Sequence, residues 1–209
     1  MRNIAVLASG GGSNLQALID AIEAGEIAAK ISLVVAGKPG IFALERARAH
    51  GIESVCICRG DYEDVCAHDR ALRQVLRDCG ADLVVLAGYL SILGKDLVQE
   101  YRNRILNIHP SLIPAFCGSG YYGQRVHQAV LDYGARVSGA TVHLVDEGTD
   151  TGPIILQQCV EVLQTDNAQS LAARVLEAEH RLLPQAVKLF VEGRVSVEGR
   201  KVTILEEEA

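Results

Sequence analysis

The residues best suited to chemistry lie in the run Leu106-Asn107-Ile108-His109-Pro110-Ser111-Leu112-Ile113-Pro114. A short apolar stretch ends there in an amide and an imidazole two positions apart, and proline follows at once. On a strand, side chains two apart face the same side, so Asn107 and His109 point together into whatever space lies at the strand's end. An Asn amide donates a hydrogen bond to a developing oxyanion, and a His gives or takes a proton near neutral pH. Addition to a carbonyl needs both.

A second candidate site is the run Ser9-Gly10-Gly11-Gly12-Ser13-Asn14-Leu15, which joins the first predicted strand to the first predicted helix. Glycines let a backbone approach an anion closely, and amides at a helix N-terminus supply positive potential. Ser13 and Asn14 add side-chain hydrogen bonds, so a phosphate fits. A dinucleotide is disfavoured: Leu15 stands where its fingerprint needs glycine, and the second strand ends in Val35-Ala36-Gly37-Lys38 with no acidic residue. No Walker loop is present, because Pro39 follows Gly37-Lys38. A tight turn without a ligand is the bland alternative; a monophosphate on a small substrate is the functional one.

Asp146, Glu147 and Asp150 crowd a turn that closes on Thr151-Gly152-Pro153. A solvated loop is the plain reading. The functional reading has one carboxylate facing His109, raising its pKa and orienting its ring. Asp150, at the tightest point, is the candidate. His143 is expected to be structural and hydrogen-bonded, His127 is open either way, and His50, His68 and His180 are expected at the surface.

The elements that must position these groups alternate. Strands are predicted at 3–8, 31–36, 54–58, 82–87 and 105–108, with helices at 15–24, 42–50, 61–79 and 95–101. Ser13 or Asn14 is the expected N-cap of the first helix. This order predicts an α/β fold, a mostly parallel twisted sheet with helices on both faces and right-handed crossovers. Ligands bind beyond the carboxyl ends of such strands, so the glycine loop, residues 89–93 and the Asn107–His109 pair are expected to converge. The second half reads as a Gly- and Tyr-rich loop at 116–124, a helix at 126–133 and strands at 137–145 and 154–162. A long helix at 168–192, broken or kinked near Pro184, and a hairpin pairing 194–197 with 201–205 follow. One domain is expected over 1–209, a Rossmann-like half at 1–110 and a completing lobe with antiparallel strands at 111–209.

Composition narrows the classes. The 209 residues are 49% hydrophobic with a net charge of -6, which suits a packed domain and gives no general affinity for nucleic acid or membranes. The opening apolar run is too short for a signal peptide or a spanning helix, so a cytoplasmic chain is expected. Six cysteines form no C-x-x-C pair and no histidine cluster has zinc-like spacing, so free thiols and no metal are expected. Cys56 and Cys58 share a strand face, and Cys117 lies near the proposed site.

Taken together, 9–15, 106–114, 142–145 and Asp150-x-Gly152-Pro153-Ile154 resemble the phosphoribosylglycinamide formyltransferases, over residues 3 to 192. The Asn-x-His-Pro-Ser-Leu run belongs to the wider formyl-folate transferases; the glycine loop and the length narrow it. The resemblance implies transfer of a formyl group from 10-formyltetrahydrofolate, the co-substrate, to the amine of 5-phosphoribosylglycinamide in purine biosynthesis. It implies that Gly12, Ser13 and Asn14 hold the substrate phosphate and that Glu179 contacts the glycinamide. Folate would be held by Leu90, Ser91, Ile92 and Leu93, by Asn107, and by Asp146, Glu147, Gly148, Thr149 and Asp150. His109, Asn107 and Asp150 match the catalytic set. Val65 and Ser91 stand where the family commonly has arginine, and the loop 117–125 is longer than in the shorter members, which bears on contacts to the folate tail.

The implied mechanism is direct attack of the amine on the formyl carbon, with the tetrahedral oxyanion held by Asn107 and a protonated His109, and no covalent or metal-bound intermediate. The partners are then small molecules, with no nucleic acid or membrane, and the chain a monomer or homodimer. A formyltetrahydrofolate hydrolase, or another formyl-folate transferase, would use the same three residues. A non-catalytic binder of phosphorylated metabolites would leave them without a purpose.

Overall fold

The computed structural model describes residues 1–206; residues 207–209 of the expected domain lie outside the described residues. The chain divides into two compact units, Met1–Asn107 and Ile108–Ala209. It carries one seven-stranded, mostly parallel sheet and a separate two-stranded hairpin.

The first unit is built on β1 (Arg2–Ala8), β2 (Ala29–Ala36), β3 (Ser54–Cys56), β4 (Leu83–Leu86) and the first three residues of β5 (Ile105–His109), in the order β3-β2-β1-β4-β5. The pairings β1–β2, β1–β4, β2–β3 and β4–β5 are all parallel. Ile4, Ala5, Val6 and Leu7 on β1 and Leu83, Val84 and Val85 on β4 are wholly buried. Continuous apolar runs of this kind suit central strands covered on both faces. The crossovers carry α1 (Ser13–Glu23), α2 (Phe42–Ala49), α3 (Val65–Asp78) and α4 (Lys95–Glu100).

Boundaries differ from the sequence reading where local chemistry intervenes. The first helix has Gly12 at its N-cap, in the left-handed region at φ 71°, and no side chain caps it. A Cβ at Gly12 would lie 2.8 Å from Ala43 Cβ, so the close approach of α2 and the backbone angle both select glycine over the expected Ser13 or Asn14. The third helix starts at Val65 rather than Asp61, because Arg59–Asp61 form a 3-10 turn and Asp64 accepts from Ala67 N at 2.7 Å as the N-cap.

The second unit contains α5 (Gln124–Tyr133), β6 (Val137–Leu144), β7 (Ile154–Glu161), α6 (Ala168–Val191) and the hairpin β8 (Val195–Glu198) with β9 (Lys201–Ile204). Strands β6 and β7 pair antiparallel, and α6 packs on both and on α5. The long helix runs unbroken through Pro184. Pro184 forfeits one backbone hydrogen bond, but Leu182, Leu183, Ala186 and Val187 around it are buried, and that packing offsets the loss. Asn167 and Ser170 form a capping box at its start. The final hairpin turns at Gly199-Arg200, with Glu198 paired to Lys201.

Candidate active site

In the first unit the glycine loop is held from beneath. Arg46 Nε donates to Gly11 O at 2.9 Å and Ala43 N to Gly10 O at 3.3 Å, which fixes the carbonyls toward α2. Ser13 is half-buried and Asn14 buried at the start of α1. Ser9, at the root of the loop, donates its amide to Gly88 O, and its hydroxyl accepts from Leu90 N, both at 3.1 Å. The loop and the 90–93 segment are thus joined at the carboxyl ends of neighbouring strands. Leu90 is 53% exposed and Ile92 75%, while Ser91 and Leu93 are half-buried. Two large exposed aliphatics on one short segment offer an apolar surface to a flat ring. Val65 stands exposed in the first turn of α3.

A buried carboxylate braces this segment. Asp69 on α3 accepts from Gly94 N at 2.8 Å and from Leu97 N at 3.2 Å, capping α4 immediately after Leu93. A Cβ at Gly94 would lie 2.4 Å from Asp69 Cγ, so glycine is required for that approach. Asp69→Ala leaves buried amides without an acceptor and is expected to cost ~1–3 kcal/mol, read from the denaturant midpoint at constant slope.

Asn107 and His109 lie two apart on β5, half-buried and buried respectively. In the second unit, His109 Nδ1 lies 3.6 Å from Asp150 Oδ2, and its Nε2 lies 3.0 Å from Phe116 O. Asp150 Oδ2 also accepts from Gly118 N at 2.9 Å. Asp150 itself is in the left-handed region, φ 57°, as is Phe116 at 52°. Such strain in a non-glycine residue marks a position held by its surroundings. Gly152 helps to impose it: a Cβ there would sit 1.8 Å from Leu144 O. At the hairpin tip, Arg200 donates to Thr151 O at 2.6 Å, tethering the same turn. Asp146 Oδ1 accepts from Gly148 N and Thr151 Oγ1, while Glu147, Gly148 and Thr149 are exposed. Thr141 ties the chain after β5 to β6, donating to Ser111 O at 2.6 Å and accepting from Ile113 N at 3.1 Å.

A second imidazole belongs to this group. His143 Nε2 lies 3.6 Å from Asp150 Oδ1, with Nδ1 2.8 Å from Leu144 O. Asp150 therefore stands between two histidines. The sequence reading had His143 as structural only. Its aim depends on a register shift between Val142 and His143 in the β6–β7 pairing, which a strand period does not reveal. Glu179 is buried on α6. His68 is also buried, edge-on to Tyr62 on the inner face of α3, a correction to its expected surface position.

Burial pushes the His109 imidazole below its ordinary value of 6.5; Asp150 and the Phe116 carbonyl pull the other way without overcoming it. The expectation that Asp150 keeps His109 protonated is thereby corrected: the resting ring is neutral near pH 7. For Asp150, burial works upward, but the His143 hydrogen bond, the His109 charge and the Gly118 amide outweigh it and leave the carboxyl below 3.8. Burial likewise lowers His68 and His127. Three histidines with depressed folded-state pKa values have one thermodynamic consequence. As pH falls below 6.5, the unfolded chain takes up protons first, so stability present above 6.5 is lost as pH falls through the folded values. Denaturation midpoints are expected to drop between neutral and mildly acid pH, and His109→Ala to flatten that slope.

The arrangement can orient a neutral imidazole against a carboxylate, receive a proton and stabilise the cation that results, beside an amide donor on the same strand face. Comparison with known proteins bears on what it acts upon. The family model described as formyl transferase matches residues 2–187. A glycinamide ribonucleotide transformylase 1 from Symbiobacterium toebii superposes with a TM-score of 0.94 at 43% identity, covering 99% of this chain and 95% of that one. The phosphoribosylglycinamide formyltransferase of Haemophilus influenzae is 38% identical over 195 residues, 93% of this chain and 90% of that protein. The trifunctional purine biosynthetic protein adenosine-3 of Drosophila melanogaster is 43% identical over 194 residues, 92% of this chain, which spans 14% of that longer protein.

Proposed function

The chain belongs to the formyl transferase family, alongside its phosphoribosylglycinamide formyltransferases, and on that premise we propose that it transfers the formyl group of 10-formyltetrahydrofolate to the amine of 5-phosphoribosylglycinamide. The observation that carries this reading is the His109–Asp150 pair at the end of the strand that bears Asn107, with Asp150 held in a strained turn. A carboxylate-oriented, neutral imidazole suits a reaction in which an amine sheds a proton as it attacks a carbonyl.

In this reading Gly12, Ser13 and Asn14 hold the phosphate, whose charge the α1 N-terminus favours, and Glu179 receives the glycinamide. Leu90, Ser91, Ile92 and Leu93 are assigned to the pterin, and Asp146, Glu147, Gly148, Thr149 and Asp150 to folate contacts. The amine attacks the formyl carbon, and the oxygen gains negative charge. Asn107 donates to that oxyanion. His109 takes the amine proton, Asp150 stabilises the imidazolium, and the proton passes to N10 of the departing tetrahydrofolate. Both His109 nitrogens face protein oxygens at rest, so one must be released to reach substrate. The Phe116 carbonyl, in the glycine-rich segment before α5, is the partner that can withdraw. Holding two substrates in register supplies ~7–11 kcal/mol of the barrier reduction. The substrates are small molecules, and a cytoplasmic monomer or homodimer suits them; no helix among the described residues is long and apolar enough to cross a membrane.

Asn107→Ala is expected to lower kcat by ~10²–10³ with little change in either KM, because the oxyanion exists only on the way to product. A rise in KM at unchanged kcat would assign Asn107 to binding instead. The reading as a whole is tested by carrying a labelled formyl group on the folate and following it: label in formylglycinamide ribonucleotide supports it, and label remaining on folate refutes it.

A further inference from the structure

Two cysteines outside the proposed chemistry stand together at the edge of the sheet. Cys56 ends β3 and Cys58 follows two residues later, so both side chains leave the same face. Between them Ile57 is buried and donates its amide to Ala36 O at 2.9 Å, which pins the backbone and turns both thiols away from the core. Their sulfurs lie 3.3 Å apart, with Cys56 exposed and Cys58 half-buried. Strand β3 is an edge strand, pairing with β2 on one side. We propose that Cys56 and Cys58 are a thiol-modification site, a vicinal dithiol that closes to an intramolecular disulfide by exchange with a low-molecular-weight disulfide such as oxidised glutathione.

The order of events follows from the surroundings. Hydrogen bonding to Cys56, with burial and the charges of Cys56 and Asp61, pushes the Cys58 thiol up to about 11. Cys58 therefore keeps its proton, and the more exposed Cys56 gives its proton to solvent and is the sulfur that attacks. Its sulfur bonds to one sulfur of oxidised glutathione, the S–S bond breaks, and one glutathione leaves as a thiolate that takes up a proton. Cys58 then loses its proton to solvent and attacks Cys56 Sγ, expelling the second glutathione. Two protein thiols are oxidised, and one glutathione disulfide is reduced to two thiols.

Sequence makes the test clean, because trypsin cutting after Arg48 and Arg59 releases both cysteines on one peptide with no other cysteine. The full chain is incubated with oxidised glutathione, free thiols are alkylated, and the peptides are weighed. The wild-type 49–59 peptide is expected to be lighter by two hydrogens, unalkylated and free of glutathione, and to recover its thiols with dithiothreitol. Cys58→Ser is expected to trap glutathione on Cys56, and Cys56→Ser to leave Cys58 open to alkylation. A wild-type peptide alkylated at both cysteines, or one that carries glutathione without closing, as an isolated exposed thiol such as Cys66 would, overturns the proposal.

Discussion

His109→Ala is expected to lower kcat by about 10³-fold or more while the protein stays folded, read from the initial rate of tetrahydrofolate formation at saturating concentrations of both substrates. Two losses combine. In the proposed mechanism the ring accepts the proton of the attacking amine, a role typically worth 10²–10⁴ in rate. Its protonated form also shares the oxyanion's charge with Asn107, as oxyanion donors worth ~3–4 kcal/mol do elsewhere. The folded state is expected to tolerate the change, because the ring is a buried group whose protonation burial disfavours. Near wild-type turnover would remove His109 from the chemistry.

Asp150→Asn carries the second large effect, a fall in kcat of ~10²–10⁴ with the turn kept intact. The amide can still accept from Gly118 N, so the left-handed backbone at 150 keeps its anchor. What it loses is charge. Asp150 is what raises the His109 pKa against burial, so without the carboxylate the ring's pKa falls further. Because the proposed mechanism works through the neutral ring, the acid limb of the rate profile is expected to move to lower pH while the plateau drops. An unmoved limb, or one shifted upward, would mean that Asp150 does not act through His109. His143 shares the same carboxylate from the other side, at 3.6 Å, and its charge lowers the His109 pKa, so its removal is expected to move the same limb the opposite way, to higher pH, and by less.

Much of this was legible in the chain itself. Asn107 and His109 announce a shared face because a strand's period is two and Pro110 stops the strand directly after them. Asp150 was legible as the tightest position of an acidic turn, although not as a left-handed residue. The parallel sheet followed from strand and helix alternation. What escaped depends on distant parts of the chain. The aim of His143 rests on a register shift opposite β7, and the burial of Glu179 and His68 on what their helices pack against. The direction of the His109 pKa is a contest between a visible charge and a burial that only the folded chain supplies. Gly12 escaped for a related reason: Ser13 and Asn14 are good caps, but the approach of Ala43 leaves room for neither at position 12.

The central claim is that the formyl group goes to an amine and not to water, although a hydrolase would use the same Asn107, His109 and Asp150. The measurement that separates them is the rate of tetrahydrofolate release from 10-formyltetrahydrofolate with and without 5-phosphoribosylglycinamide. Release that depends on the glycinamide, with one formylated product per tetrahydrofolate, is the predicted result. Release at the same rate without it, with formate accumulating, would contradict the account.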